Sequence, residues 1–241
     1  MSTLIRLEVI RIFRNKKVVF FTLLYPAILY MIFAQSSGRI GGLSVKLYVM
    51  VSMAAFGAVG ATLMSTAQGI SQERAKGWVR QLRLTALNQN GYVISKIIAA
   101  AATSGPAIAV VMLVGGLVNG VRMPAWQWPV LLIALWLGSL VFAALGVALG
   151  YLGSPSTIQP ILMICYLGLS LLGGLWMPTT GFPTVLRKIS EAMPTYRFGA
   201  IGRTIEAGQF PHGADLAVLA GYLVVFVVLA GRLYRRDRSR A

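Results

Sequence analysis

The sequence predicts an all-α integral membrane protein, and three observations support this fold class. First, the 241-residue chain is 57% hydrophobic and only 12% charged, with a mean hydropathy of +0.74, which exceeds what one soluble core of this size needs. Second, the apolar residues form six runs of a length suited to crossing a bilayer. Third, the lysines and arginines concentrate beside these runs. We therefore expect a single transmembrane domain over residues 1–241, with six transmembrane helices.

The first 17 residues predict an amphipathic helix that lies in the membrane interface. At helical spacing, one face carries Ile5, Val9, Ile12 and Phe13, and the opposite face carries Glu8, Arg11, Arg14 and Asn15. The alternative is an ordinary helix end flanked by positive charge. A signal peptide is not expected, because basic residues are spread from Arg6 to Lys17.

The six apolar runs predict transmembrane helices at residues 18–34, 47–70, 97–118, 130–152, 157–176 and 216–231. The second run contains the small residues Ala54, Ala55, Gly57, Ala58, Gly60 and Ala61, which let a neighbouring helix approach closely. The fourth run contains Gly146 and Gly150 in a GxxxG arrangement, a further packing signal. We expect small-residue faces of the early spans and of span five to join two copies of the chain.

The polar intervals complete the predicted topology. Residues 71–96 form a basic loop between spans two and three, and residues 179–215 form a longer outer loop. The outer loop holds apolar stretches too short to cross the bilayer, so we expect short re-entrant helices there. Trp126 and Trp128 follow span three and are typical of an interfacial belt at the outer surface.

The basic residues predict the orientation. Fifteen of the 22 lysines and arginines lie in the N-terminal segment, the 71–96 loop and the C-terminal tail, five in each. By the positive-inside rule these segments are cytoplasmic. The sequence therefore predicts a multi-pass plasma-membrane protein with both termini in the cytoplasm. Membrane orientation and contact with lipid also account for the net charge of +16, so nucleic-acid binding is not expected.

The composition disfavours several functional classes. Cys165 and His212 are the only residues of their types, too few for a zinc site and poorly suited to nucleophilic hydrolysis. The predicted spans hold no Asp, Glu, His, Lys or Arg, which disfavours an ion-coupled carrier. Because the chain has no GxxxxGK[ST] phosphate loop, we do not expect it to be an enzyme that hydrolyses ATP. Two alternatives stay open: an ion-coupled multidrug carrier, and an immunity or scaffold protein that moves nothing.

The 71–96 loop has the features of a docking element for a cytoplasmic partner. Glu73 is its only acid and follows span two, where it can accept hydrogen bonds from a following helix or pair with a base such as Arg80. Gly77 permits a turn or a close approach. Trp78 and Leu82 share one helical face that can fill an apolar groove on the partner.

These residues carry a family resemblance. Glu73-Arg74-x-x-Gly77, followed by Val79-Arg80-Gln81-Leu82-Arg83-Leu84, resembles the coupling loop of type-2 ABC exporter permeases, which include drug, antibiotic and polysaccharide exporters. Three further features agree: Arg14 before span one with Pro26 inside it, Gly173–Pro178 ending span five, and Met193–Tyr196 before Arg203. The chain departs from the pattern at Ala86, where many relatives have proline, and at Gly173-Gly174, where Ser-Gly is common.

The resemblance implies a working exporter of two permeases and two ATPase subunits. ATP and magnesium belong to the ATPase, and this chain needs no cofactor of its own. The coupling residues would be Glu73, Arg74, Gly77, Trp78, Arg80 and Leu82. The substrate path would run between two like or similar permeases, lined by Met53, Phe56, Met64, Met163, Tyr166 and Leu167. Such an aromatic and methionine-rich path suits an amphipathic or apolar substrate.

Overall fold

The computed structural model describes residue 10 and residues 20–36, 38–40, 42–77 and 89–238. A π-helical turn, Phe20–Leu24, continues into helix α1, Tyr25–Phe33. The other α-helices are α2 (Val45–Ala75), α3 (Gln89–Leu117), α4 (Gln127–Gly138), α5 (Leu140–Gly150), α6 (Pro155–Leu172), α7 (Thr184–Ala192), α8 (Pro194–Glu206) and α9 (Gly213–Arg238). A 3-10 turn, Thr179–Gly181, follows α6. Strands β1 (Arg39–Ile40) and β2 (Leu43–Ser44) form one antiparallel hairpin, with Arg39 opposite Ser44.

The predicted class of helical membrane protein is confirmed. In the described part of the chain, five helical segments are long and apolar enough to span a bilayer: α2, α3 from Lys96, α4 with α5, α6, and α9. The predicted first span corresponds to a shorter apolar helix, Thr22–Phe33, so the count of six spans stays a prediction. The predicted interfacial helix over residues 1–17 lies outside the described residues apart from Ile10.

Helix α2 lies at the centre of the bundle. It packs against α1, α3, α4, α5, α6 and α8, and 78% of its most apolar 18-residue stretch is buried. Its small residues permit these contacts: a Cβ atom on Gly57 would lie 3.0 Å from Cγ of Pro26 on α1. The small face of span two therefore joins helices within one chain.

The predicted GxxxG signal marks the closest helix contact of α5. A Cβ atom on Gly146 would lie 2.7 Å from the carbonyl oxygen of Leu63, and one on Gly150 would lie 3.0 Å from that of Ala67. Real Cβ atoms essentially never come closer than 3.0 Å, so a side chain at Gly146 would push α5 away from α2. The predicted packing role of this motif is thus seen within the chain.

The structure adds detail to span four and to the outer loop. Span four, predicted over residues 130–152, is the span-length helical segment Gln127–Gly150, in which Ser139 separates α4 from α5. The hydroxyls of Ser139 and Ser104 lie 2.9 Å apart in the buried interior, so the break has a polar contact that hydropathy does not reveal. The outer loop contains α7 and α8 as expected for short helices. Phe198, Ile201 and Ile205 on α8 are buried in the core, while re-entry into the bilayer stays a prediction.

We predict that Gly146→Ala destabilises the protein, whereas Gly168→Ala does not. A methyl group at Gly146 meets Leu63 and Thr66, which costs about 1–3 kcal/mol of overpacking. Gly168 on α6 has no neighbouring atom within 4 Å of its would-be Cβ, so the change there adds helix propensity alone. Thermal unfolding of the two variants in detergent measures the difference. Equal melting temperatures would show that the α2–α5 contact tolerates a methyl group.

Candidate functional site

The charged residues that flank the predicted coupling loop form a buried ion pair. Nζ of Lys96 donates to Oε1 of Glu73 at 2.5 Å, and each side chain is only 4% exposed. The pair joins the end of α2 to the early part of α3. The sequence predicted that Glu73 accepts hydrogen bonds from a following helix or pairs with a base such as Arg80 or one on the N-terminal helix, which lie outside the described residues. Among the described residues, Lys96 at the far end of the loop pairs with it.

This pairing arises because the helices extend beyond the apolar runs. Span two was expected to end at residue 70, but α2 continues to Ala75; span three was expected to begin at residue 97, but α3 begins at Gln89. The extra turns place Glu73 and Lys96 on adjacent helices. Much of the predicted 71–96 loop is therefore helical. The charges of Glu73 and Lys96, which the sequence placed in this loop, are buried near the ends of the two helices.

Arg74 makes a second set of contacts at the same end of the bundle. Its guanidinium donates to both carboxylate oxygens of Asp237 on α9, with Nε 3.1 Å from Oδ2. Its Nη1 donates to the carbonyl oxygens of Gly150 and Gly153, at 3.2 and 3.3 Å. The last carbonyl groups of a helix lack partners within the helix, so Arg74 completes the end of α5. The residue thereby connects α2, α5 and α9.

Gly77 ends α2 in the left-handed conformation. Its φ is +69°, and its N–H donates to the carbonyl oxygen of Arg74 at 3.0 Å. Glycine adopts this conformation without strain, and it commonly terminates helices in this way. The expected turn at Gly77 is therefore present. The predicted coupling residues Trp78, Arg80 and Leu82 lie outside the described residues.

We call Glu73, Arg74, Lys96 and Asp237 the basal frame. In the sequence, residues 78–88 lie between the end of α2 and the start of α3. The frame connects α2 to α3 through Glu73 and Lys96, and α2 to α5 and α9 through Arg74. Among the residues that the structure describes, no three of His, Cys, Asp and Glu come close enough to hold a metal ion.

The residues predicted to line a substrate path fall into two groups. Met53 and Phe56 are buried in the core, and the Phe56 ring stacks on Tyr166 with centroids 4.5 Å apart. Tyr166 also donates from its hydroxyl to the carbonyl oxygen of Phe56 at 3.1 Å. Met64 is half-buried, whereas Met163 and Leu167 on α6 are 50% and 42% exposed.

A polar pair at the contact between α2 and α6 was not singled out from the sequence. Nε2 of Gln68 on α2 donates to Oε1 of Gln159 on α6 at 2.8 Å, in an exposed position. Uncharged polar side chains on a lipid-facing surface are costly, so such a pair indicates contact with water or with another polar group. The signal was present in the sequence as one glutamine near the end of each of two apolar runs.

Glu206 is the one unpaired acid among the five that the structure describes. The other four are ion-paired, to Lys96, Arg74, Arg187 and Arg197. Both oxygens of Glu206 lack a hydrogen-bond partner among the described residues, although the residue is only 7% exposed. Burial raises the pKa of Glu206 well above its usual range, and the nearby charge of Arg203 offsets part of this effect. The sequence carried no signal for Glu206, because the residue lies in the predicted outer loop and its burial depends on how α8 packs against the bundle.

Breaking the basal frame is expected to cost more than exchanging its charges. In Glu73→Gln, Lys96 stays buried without its carboxylate, a loss of about 3–5 kcal/mol for a buried pair. The double variant Glu73→Lys with Lys96→Glu keeps opposite charges together and should recover part of that stability. Melting temperatures of the single and double variants in detergent test this. A double variant no more stable than the less stable single variant would contradict a direct pair.

The raised pKa of Glu206 predicts a decrease of stability with pH. The folded protein keeps this proton to a higher pH than the unfolded chain, whose glutamates titrate near about pH 4.3. The resulting stability is present at low pH and is lost as the pH rises through the folded-state pKa. Arg203, Tyr30 and Tyr48 are the titratable groups that interact electrostatically with this carboxyl. The melting temperature of the wild type should therefore fall from about pH 5 to about pH 8 more than that of Glu206→Gln.

Glu191→Gln is the matched control, because Glu191 on α7 is partly exposed and already paired with Arg187. This variant should keep the pH dependence of the wild type. Identical pH profiles for the wild type and Glu206→Gln would show that Glu206 releases its proton at its ordinary pKa.

Comparison with known proteins places these features in a family. Residues 41–232 match the family model described as ABC-2 family transporter protein. The chain is also 27% identical over 236 residues to YvfS of Bacillus subtilis (strain 168), a protein that bears the name of a transport permease, and the match covers 96% of each chain. The family match spans most of the chain, including α2 to α8 and most of α9. The chain therefore belongs to the ABC-2 transporter family and is a multi-pass membrane permease component of an ABC transporter, which implies an ABC ATPase as its partner.

Proposed function

We propose that this chain is the membrane-spanning subunit of an ATP-driven exporter in the plasma membrane, with both termini cytoplasmic. Two permease copies, identical or similar, would associate with two ATPase subunits, which hold the ATP and magnesium. The cargo would be an amphipathic or apolar molecule such as a drug, an antibiotic or a lipid-like compound. The observation that carries this proposal is the basal frame, which connects the end of α2 to α3, α5 and α9.

The frame gives Glu73 a transmitting role. Because its carboxylate is buried against Lys96, it is placed to link two helices rather than to touch a partner. A partner that moves residues 78–88 would displace the ends of α2 and α3 together, and Arg74 would carry the movement to α5 and α9. Since α2 is packed along its length, the displacement would reach the outer part of the bundle as a helix movement.

The proposed path runs along the exposed side of α6 and its seam with α2. Met163, Leu167 and the half-buried Met64 provide an adaptable apolar surface. The Gln68–Gln159 pair adds a polar contact at the same seam. Together they suit a cargo with an apolar body and a polar group. Met53, Phe56 and Tyr166 would support this surface from behind and become accessible only when α2 and α6 separate.

One observation favours a second candidate, an ion-coupled carrier. Such proteins need a buried group that gains and loses a proton, and Glu206 is a buried acid with free oxygens among the described residues. The two candidates differ in their energy source. The test uses vesicles in which the ATPase is inactivated. Transport that is absent both with and without an imposed proton gradient supports the exporter. Transport that occurs only with an imposed gradient supports the carrier.

The coupling proposal predicts different effects for two tryptophan substitutions. Trp78→Ala, in the segment held by the basal frame, should abolish the stimulation of ATP hydrolysis that the permease gives to its copurified ATPase. Trp126→Ala changes the same residue type at the opposite end of the bundle, where the ring stacks on Phe210, and should leave the stimulation unchanged. The measurement is ATP hydrolysis by the purified complexes in proteoliposomes, at matched expression and melting temperature.

The result distinguishes coupling from folding. Equal loss in both variants at reduced melting temperature would indicate general destabilisation. Full stimulation in Trp78→Ala would show that residues 78–88 do not couple the two subunits.

A further inference from the structure

An apolar groove opens between α4 and α9 in the outer half of the bundle. On α4 its wall is formed by Val130, Ile133, Ala134 and Leu137. These residues follow the i, i+3, i+4, i+7 spacing of a single helical stripe. Such a stripe normally packs directly against a neighbouring helix, but here it lines an open space of about 440 Å³.

The facing wall has the same pattern. Leu216, Leu219, Ala220 and Leu223 form an i, i+3, i+4, i+7 stripe on α9. Ile201 of α8 also lines this space, and α8 packs against both α4 and α9. The two apolar stripes thus share α8 as a neighbour and face a common space.

The position of the groove along α4 indicates its depth in the membrane. Trp126, just before α4, stacks on Phe210, just before α9, with ring centroids 6.4 Å apart, and both side chains are exposed. Exposed aromatic residues of this kind mark the interface between membrane and water. With a rise of 1.5 Å per residue, the α4 stripe lies roughly 6–16 Å deeper than Trp126, within one half of a bilayer core of about 30 Å. The groove is thus at the depth of lipid tails.

The chemistry of the lining and the volume of the groove restrict which kind of molecule can occupy it. Carbon atoms dominate the lining, so water would find no hydrogen-bond partners there. The space of about 440 Å³ is open along one side, so its occupant can enter from the surrounding lipid. A slender, flexible hydrocarbon chain fits such a groove, and the bilayer supplies it at this depth.

We propose that the groove between α4 and α9 binds one acyl chain of a membrane phospholipid as a specific site. The chain replaces the missing contact between the two stripes and fixes α9 and α8 relative to α4. Occupancy would then stabilise the outer part of the bundle, beyond the general effect of surrounding lipid. This inference does not depend on the cargo or on the coupling segment.

Photolabelling tests the site directly. The full-length protein is reconstituted in vesicles of phosphatidylethanolamine and phosphatidylglycerol that contain a phospholipid with a photoreactive diazirine in its acyl chain. Labelled peptides are then located by mass spectrometry. We expect labelling of the groove stripes several-fold above that of Val225 and Val228, which are exposed on α9 outside the groove. Equal labelling of both sets would overturn the proposal, because it would indicate ordinary surrounding lipid.

Two tryptophan variants make the test specific. Ala220→Trp fills the groove and should reduce its labelling several-fold, whereas Ala217→Trp, exposed on α9 outside the lining, should not. Ala134→Trp fills the groove from the opposite wall and serves if Ala220→Trp does not fold. Unchanged labelling in a folded groove-filling variant would contradict the site. Protein-to-protein crosslinks through the groove would also contradict it, because they would identify a second polypeptide as the occupant.

Discussion

Close packing around α2 is the constraint on which the rest of the structure depends. Lipid tails are as apolar as leucine, so membrane helices associate through tight contact between backbones rather than through the hydrophobic effect. Helix α2 meets this requirement with alanine and glycine along its buried length, and Gly146 and Gly150 of α5 approach its backbone directly. Helices α1, α3, α4, α5, α6 and α8 therefore touch α2. A displacement at its end cannot stay local, since densely packed elements transmit shifts to their neighbours.

Ion pairs connect the helices where the apolar packing ends. Glu73 joins α2 to α3, Asp237 joins α9 to α2, and Asp215 joins α9 to α8. A buried charge is costly without a partner, so each pair also restricts how its two helices can be arranged. Glu206 is the exception among the described acids, and its free oxygens separate it chemically from the structural pairs.

The sequence predicted some site features well because their causes are local. Gly77 ends a helix in a conformation that few other residues adopt, and GxxxG spacing brings two glycines onto one helix face. Other features depend on which helices become neighbours. Lys96 pairs with a residue 23 positions earlier, and Gln68 meets Gln159 across 91 positions. Spacing along one helix cannot predict such contacts, because they depend on the register and tilt of two helices.

By itself the sequence determined the membrane class and the approximate positions of the long helices. These follow from the length of the apolar runs and the placement of basic residues. Each segment interacts with the bilayer by its own length and charge, whichever helices become its neighbours. Only the tertiary structure decided that α2 is central, that Glu73 is buried, and that α4 and α9 stand apart around a groove. The reason is that hydropathy averages over all sides of a helix, whereas burial depends on which side each neighbour covers.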